Sequence, residues 1–159
     1  MLAYIGIGSN LDGPREQVRN AIELLDRLPG CHVLRQSSIY QSAPFGPVAQ
    51  DDFMNAVVAL ETAVPPDILL ACLKEIERAQ GRDLRAERWG PRVIDLDILV
   101  YADQMLDLPG LQVPHPGIAE RNFVLLPLRE IAPDLVIPRL GPVADIAIDE
   151  HVPPIRRID

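Results

Sequence analysis

Residues 92–101 read RVIDLDILVY. Strand side chains alternate between two faces, so this run predicts a strand over 93–101 with Ile94, Leu96, Ile98 and Val100 on one side and Asp95 and Asp97 on the other. Upstream, between Pro65-Pro66 and Gly81, Leu69, Cys72, Ile76 and Ala79 recur at helical spacing and predict a second helix. Residues 54–62 predict a strand, residues 33–40 another, and SAPFGPVAQDD at 42–52 is a long connection with neither period. A first helix starts at Pro14, turns Val18, Ala21, Ile22, Leu25 and Leu28 inward, and stops at Pro29-Gly30. Residues 2–8, LAYIGIG, form a short buried strand before it. The order strand, helix, strand, strand, helix, strand is the split βαβ arrangement. The fold class expected is therefore α+β, with a ferredoxin-like core of antiparallel sheet and packed helices in α/β/α layers. Beyond it come short extra elements: edge strands over 106–113, a partly helical stretch over 118–131 that contains Pro127, and a short strand over 135–137.

Composition narrows the classes of function. A chain of 159 residues with 48% apolar content fits one domain, 1–159, with an adequate core and no visible linker. With 15 Lys+Arg against 23 Asp+Glu the formal charge is -8, which argues against nucleic acid as partner, since a duplex needs a basic surface. Cys31 and Cys72 are too few for a disulfide scaffold and lack metal-pair spacing. No run is long and apolar enough for a bilayer and no basic leader opens the sequence, so a cytoplasmic protein with no membrane partner is expected.

Asp95 and Asp97, two apart on one strand face, stand roughly 7 Å apart and can converge on one or two divalent cations. The alternative is a solvent-facing pair of acids. Arg82, Arg85, Arg88 and Arg92 lie directly upstream, and guanidinium forks together with a carboxylate pair suit magnesium and phosphate. Those arginines could instead pair with Glu77, Asp83 and Glu87 on a wet surface. Neither GxxxxGK[ST] nor a dinucleotide fingerprint occurs, and the single lysine, Lys74, falls within the second helix, which disfavours a P-loop kinase. Phe45 and Phe53 border the 42–52 connection and Phe123 follows Glu120-Arg121-Asn122. Such rings either pin loops to the core or stack on a flat heterocycle, with Asn55 offering a donor and an acceptor to its polar edge.

Taken together, AYIGIGSNL, SSIYQSAPFGP, QDDFMNAVVALET, ERAQGRDLRAERWGPRVIDLDILVY and VPHPGIAERNFVLLPLREIAP resemble the 6-hydroxymethyl-7,8-dihydropterin pyrophosphokinase family. The resemblance covers all but the last fifteen or so residues. It implies transfer of pyrophosphate from ATP to a pterin alcohol in folate synthesis, with ATP as co-substrate and two Mg2+ ions held by Asp95 and Asp97. It also implies phosphate contacts from Arg82 and Arg92, with Trp89 in the same closing loop. Glu77, His115 and Arg121 match nucleotide-side positions. Asn55 matches a pterin-edge amide and Phe123 one ring of the pterin sandwich. Phe53 stands where tyrosine is common, and Ser42 and Ala43 where threonine and proline are common. Gly110 and Gln112 stand where the family has a basic residue, whose phosphate contact is then either absent or supplied by Arg88 or Arg121.

The expected partners are thus two small molecules, bound by a monomer. Segment 82–92 is expected to close over bound nucleotide. Two other classes compete: a magnesium-dependent nucleotidyltransferase, which would release pyrophosphate instead of AMP, and a catalytically silent binding module of the same fold.

Overall fold

β1 (Leu2–Ser9) is the strand around which the molecule is built, pairing antiparallel with β4 (Phe53–Thr62) on one edge and with β5 (Asp95–Tyr101) on the other. The computed structural model describes residues 1–44, 46–47, 49–81 and 93–159. On the far edge of β4 lie β2 (Cys31–Gln36) and β3 (Tyr40–Ser42), one after the other, and β3 in turn pairs with β10 (Ile155–Arg157). All these pairings are antiparallel, and the order β2/β3, β4, β1, β5 is that of the split βαβ core.

α1 (Pro14–Arg27) begins after Gly13, whose positive φ of 73° sets the chain for Pro14 at the first helical turn. α2 (Pro66–Ala79) likewise starts on a proline. Both cover one face of the sheet: Val18, Ala21 and Leu25 meet Leu69 and Leu73 over Ile5, Val58, Leu60 and Ile98. Each such buried leucine or isoleucine contributes about 1.5–3 kcal/mol, more than any local helix propensity. α3 (Asn122–Ile131) covers the opposite face, with Leu125 and Leu128 against Tyr4, Val57, Ala59 and Leu99. The three layers match the expected fold class. Short β6 (Leu106–Leu108) and β7 (Leu111–Val113) form one hairpin, and β8 (Val136–Ile137) and β9 (Gly141–Pro142) pair separately.

Four local expectations are corrected. The strand expected over 33–40 breaks at 37–39, because the Ser37 hydroxyl accepts the Val57 N–H where a ladder carbonyl would otherwise stand. The buried face of α2 is Leu69, Leu73 and Ile76 together with Glu77, while Cys72 is only half-buried and Ala79 is exposed. β5 starts at Asp95, where its pairing with β1 begins opposite Gly8. It also carries a bulge: Ile5 faces Ile98 and Tyr4 faces Val100, so Leu99 is an extra residue and Leu99 and Val100 both join the α3-side cluster. Val100 therefore does not share a face with Ile98.

Candidate active site

The α3-side face of the sheet holds a cavity of about 210 Å³ at the ends of β1, β4 and β5. Asp95 and Asp97 reach it by strand alternation, opposite in register to Gly8 and Gly6. Ser42, Ala43, Phe53 and Asn55 form one wall, and His115, Arg121 and Phe123 another. Of the residues singled out from the sequence, these nine are brought together. Glu77 is not: it lies wholly buried behind β5, where its Oε2 accepts the Leu96 N–H at 2.9 Å and so fixes the strand that carries the carboxylates. Arg82, Arg88, Trp89, Arg92 and Phe45 lie outside the described residues, as does the expectation of a closing segment over 82–92.

A second cavity, of about 300 Å³, adjoins the first and shares Asp97 and His115 with it. Lys74 lines it, along with Ile98, Gly110 and Gln112. In the sequence Lys74 weighs only against a P-loop; its place beside a pocket makes it a candidate for anion contact. Lys74 Nζ stands 3.7 Å from Glu77 Oε1.

The polar groups are oriented by identifiable partners. Asn55 Nδ2 donates to Ser42 Oγ at 2.8 Å and to the Tyr40 carbonyl at 3.2 Å. Its donor end is thus used internally, and Oδ1 is the end turned to the space above Gly8, where an added Cβ would lie 3.6 Å from it. Asn55 therefore offers the cavity an acceptor, not the donor and acceptor pair read from the sequence. Gly6 and Gly8 are not singled out by the sequence reading, although glycine at alternate positions of a strand is one sign that a ligand or another backbone approaches closely. At Gly6 a Cβ would meet Leu99 at 3.3 Å, and at Gly8 a side chain would fill the cavity floor.

His115 Nδ1 accepts the Gly117 N–H at 2.9 Å, which leaves the proton of the neutral ring on Nε2. Burial and the Arg121 charge hold its pKa down at about 4, so at neutral pH its 3.9 Å approach to Asp97 Oδ1 is not an ion pair. A Cβ at Gly117 would lie 2.7 Å from Arg121 Nε, so any side chain there would displace the end of the Arg121 side chain. Desolvation, then the Asp95 carboxylate, raises the pKa of Asp97 above the ordinary carboxylate range, with Arg121 and Lys74 acting against them.

That shift has a measurable sign. The folded state holds the Asp97 proton more tightly than the unfolded chain, so the stabilisation is complete at acid pH and is lost as pH rises through the raised value. In chelator, thermal unfolding from about pH 5 to about pH 8 should show wild type losing Tm relative to Asp97→Asn. Parallel curves for the two proteins would contradict it.

A cation fits the same observation, because it would neutralise two carboxylates that repel each other on one strand face. Among the described residues no group of three or more metal-ligating side chains is gathered. The donor set is that of a hard cation bound by one or two carboxylates and completed by substrate oxygens.

The family model described as 7,8-dihydro-6-hydroxymethylpterin-pyrophosphokinase matches residues 4–133. A protein of Pseudomonas aeruginosa named 2-amino-4-hydroxy-6-hydroxymethyldihydropteridine pyrophosphokinase is 49% identical over 135 residues, which cover 85% of this chain and 83% of that one. A Haemophilus influenzae protein of the same name is 46% identical over 136 residues, 86% and 84% of the two chains. Among solved structures, wild-type Plasmodium falciparum HPPK-DHPS superposes with a TM-score of 0.70 at 15% identity. That alignment covers 91% of this chain and 40% of the other, and it bears on the fold alone. Among the described residues no helix is long and apolar enough to cross a membrane.

Proposed function

The chain belongs to the 7,8-dihydro-6-hydroxymethylpterin-pyrophosphokinase family, and on that premise we propose how its two cavities divide the reaction. The enzyme transfers pyrophosphate from ATP to 6-hydroxymethyl-7,8-dihydropterin, giving the pterin diphosphate and AMP, in folate biosynthesis. The pterin occupies the cavity over Gly6 and Gly8, its ring against Phe53 and Phe123 and its N–H edge on Asn55 Oδ1, with Ser42 and Ala43 closing the wall. The nucleotide occupies the cavity lined by Lys74 and Gln112. The observation that carries this reading is the meeting of the two cavities at Asp97 and His115, where acceptor and donor substrates would face each other.

Family membership implies dependence on magnesium and ATP. Asp95 and Asp97 are the residues that would hold two Mg2+ ions. The metal supplies charge neutralisation for the phosphates during an in-line displacement. The chain's own groups do the rest: Nε2–H of His115 and the Arg121 guanidinium donate to phosphate oxygens, and Glu77 holds β5 so that the carboxylates stay in place. Lys74 supplies positive charge on the side where Gly110 and Gln112 bring none. Arg82, Arg88, Arg92 and Trp89 are assigned to the nucleotide phosphates, and Phe45 to the pterin, on the family resemblance.

Residues 1–159 act as a single pyrophosphokinase domain, a monomer in the cytoplasm whose partners are small molecules, not nucleic acid or membrane. The acidic balance and the integration of β10 into the main sheet support this. Incubation with ATP, magnesium and the pterin alcohol tests the reading: AMP must form in step with pterin diphosphate. Formation of ADP alone, or release of pyrophosphate, would overturn it.

A further inference from the structure

The family match ends at residue 133, yet the last stretch of the sequence touches both walls of the pterin cavity. β10 pairs with β3 in the register Ile155↔Ser42, Arg156↔Gln41 and Arg157↔Tyr40. Just before it the Pro154 carbonyl accepts the Ala43 N–H at 2.9 Å, and just after it Ile158 N–H donates to the Ile39 carbonyl at 2.9 Å. The segment thereby holds the wall made by Ser42 and Ala43. Ser42 Oγ in turn takes the Asn55 amide, which aims Oδ1 at the cavity.

The opposite wall is tied to the same segment through Asn122, the first residue of α3, which sits between Arg121 and Phe123. Asn122 has no exposed surface, and its Nδ2 donates to the Pro153 carbonyl at 2.8 Å and to the Glu150 carbonyl at 3.3 Å. Two carbonyls demand two N–H groups, so a side-chain amide suits this place and a carboxylate does not. At the other end of α3, Glu130 accepts Tyr40 O–H at 2.7 Å and the Ser38 N–H at 3.0 Å, and Arg157 of β10 approaches it at 3.5 Å. Burial and the Glu130 hydrogen bond keep Tyr40 a phenol, with its pKa pushed up to about 12.

We propose that residues 150–157 are a strap that fixes the distance between the Ser42/Asn55 wall and the Phe123 wall, with Asn122 as the positioning residue that fastens it. The strap acts chiefly on the flat pterin ring, which lies between the two walls, and less on the nucleotide, which Arg121 beside Asn122 meets from one side. This rests on the reading of the first cavity as the pterin site.

The test uses the full chain with Asn122→Ala and, as a control, Ile137→Ala, which opens a cavity in the same α3-side core and removes none of the strap's hydrogen bonds. Pterin alcohol and magnesium-ATP are titrated separately, and amide exchange is followed at Ala43. Asn122→Ala should weaken pterin binding about tenfold, weaken ATP binding by no more than about threefold through the neighbouring Arg121, and speed exchange at Ala43. Arg157→Glu, an exposed change that sets like charges against Glu130, should shift the pterin in the same direction by about threefold and keeps the test open if Asn122→Ala fails to fold. Unchanged pterin affinity, equal losses for both ligands, or the same loss in Ile137→Ala would overturn the strap. If wild type itself binds no pterin, the functional reading fails, and exchange at Ala43 still decides whether the strap holds that wall.

Discussion

Asp97→Ala should lower kcat by at least roughly 100-fold, near 3 kcal/mol of transition-state stabilisation, while the far-UV circular dichroism is unchanged. Among the described residues Asp97 is the one carboxylate common to both cavities, so its loss should act at their junction and not on either cavity alone. In the free protein the substitution should cost little stability, because the side chain is raised in pKa by desolvation and by Asp95 and so stabilises no charged state of its own. The contrast between large kinetic loss and small structural loss distinguishes a functional carboxylate from a surface acid. Steady-state rates at saturating magnesium together with melting curves provide the measurement. Retention of more than half the rate would remove the pair from the catalytic machinery.

Phe123→Ala should weaken the pterin alcohol by about 10- to 100-fold and ATP by no more than about twofold, since the ring offers stacking area and no charge. Asn55→Ala should also act on the pterin alone, through the missing acceptor at Oδ1 and the loss of the hydrogen bonds that hold Ser42 and the Tyr40 carbonyl in place. Separate calorimetric titrations of the two ligands check both variants. Equal losses for pterin and ATP would show that Phe123 and Asn55 do not belong to one ligand's pocket.

Period and punctuation carried most of the core fold. Val18, Ala21, Ile22 and Leu25 lie on the buried side of α1 as their spacing requires, and Asp95 and Asp97 share the face that alternation assigns to them. Features that depend on a partner distant in sequence did not show. The break at Ser37 needs the Val57 N–H, and the burial of Glu77 needs the Leu96 amide on a strand nineteen residues further on. The direction of the Asn55 amide is set by Ser42 and Tyr40, so its residue type announced a polar contact but not which end would face the ligand. Asn122 passed unnoticed between two more conspicuous neighbours, because its partners are backbone carbonyls that composition cannot reveal.

The bulge at Leu99 makes one position of β5 unlike the rest with respect to chain length. A one-residue deletion at 99 would restore plain alternation between Asp97 and Tyr101 and keep the carboxylates turned to the cavity, at the loss of the side chain beneath Gly6. The same deletion between Asp95 and Asp97 would turn one of the two acids into the apolar layer under α1 and α2, because a shift of one residue reverses the face of every side chain beyond it. Sequences descended from this one can therefore change length within the strand only where an unpaired residue already exists.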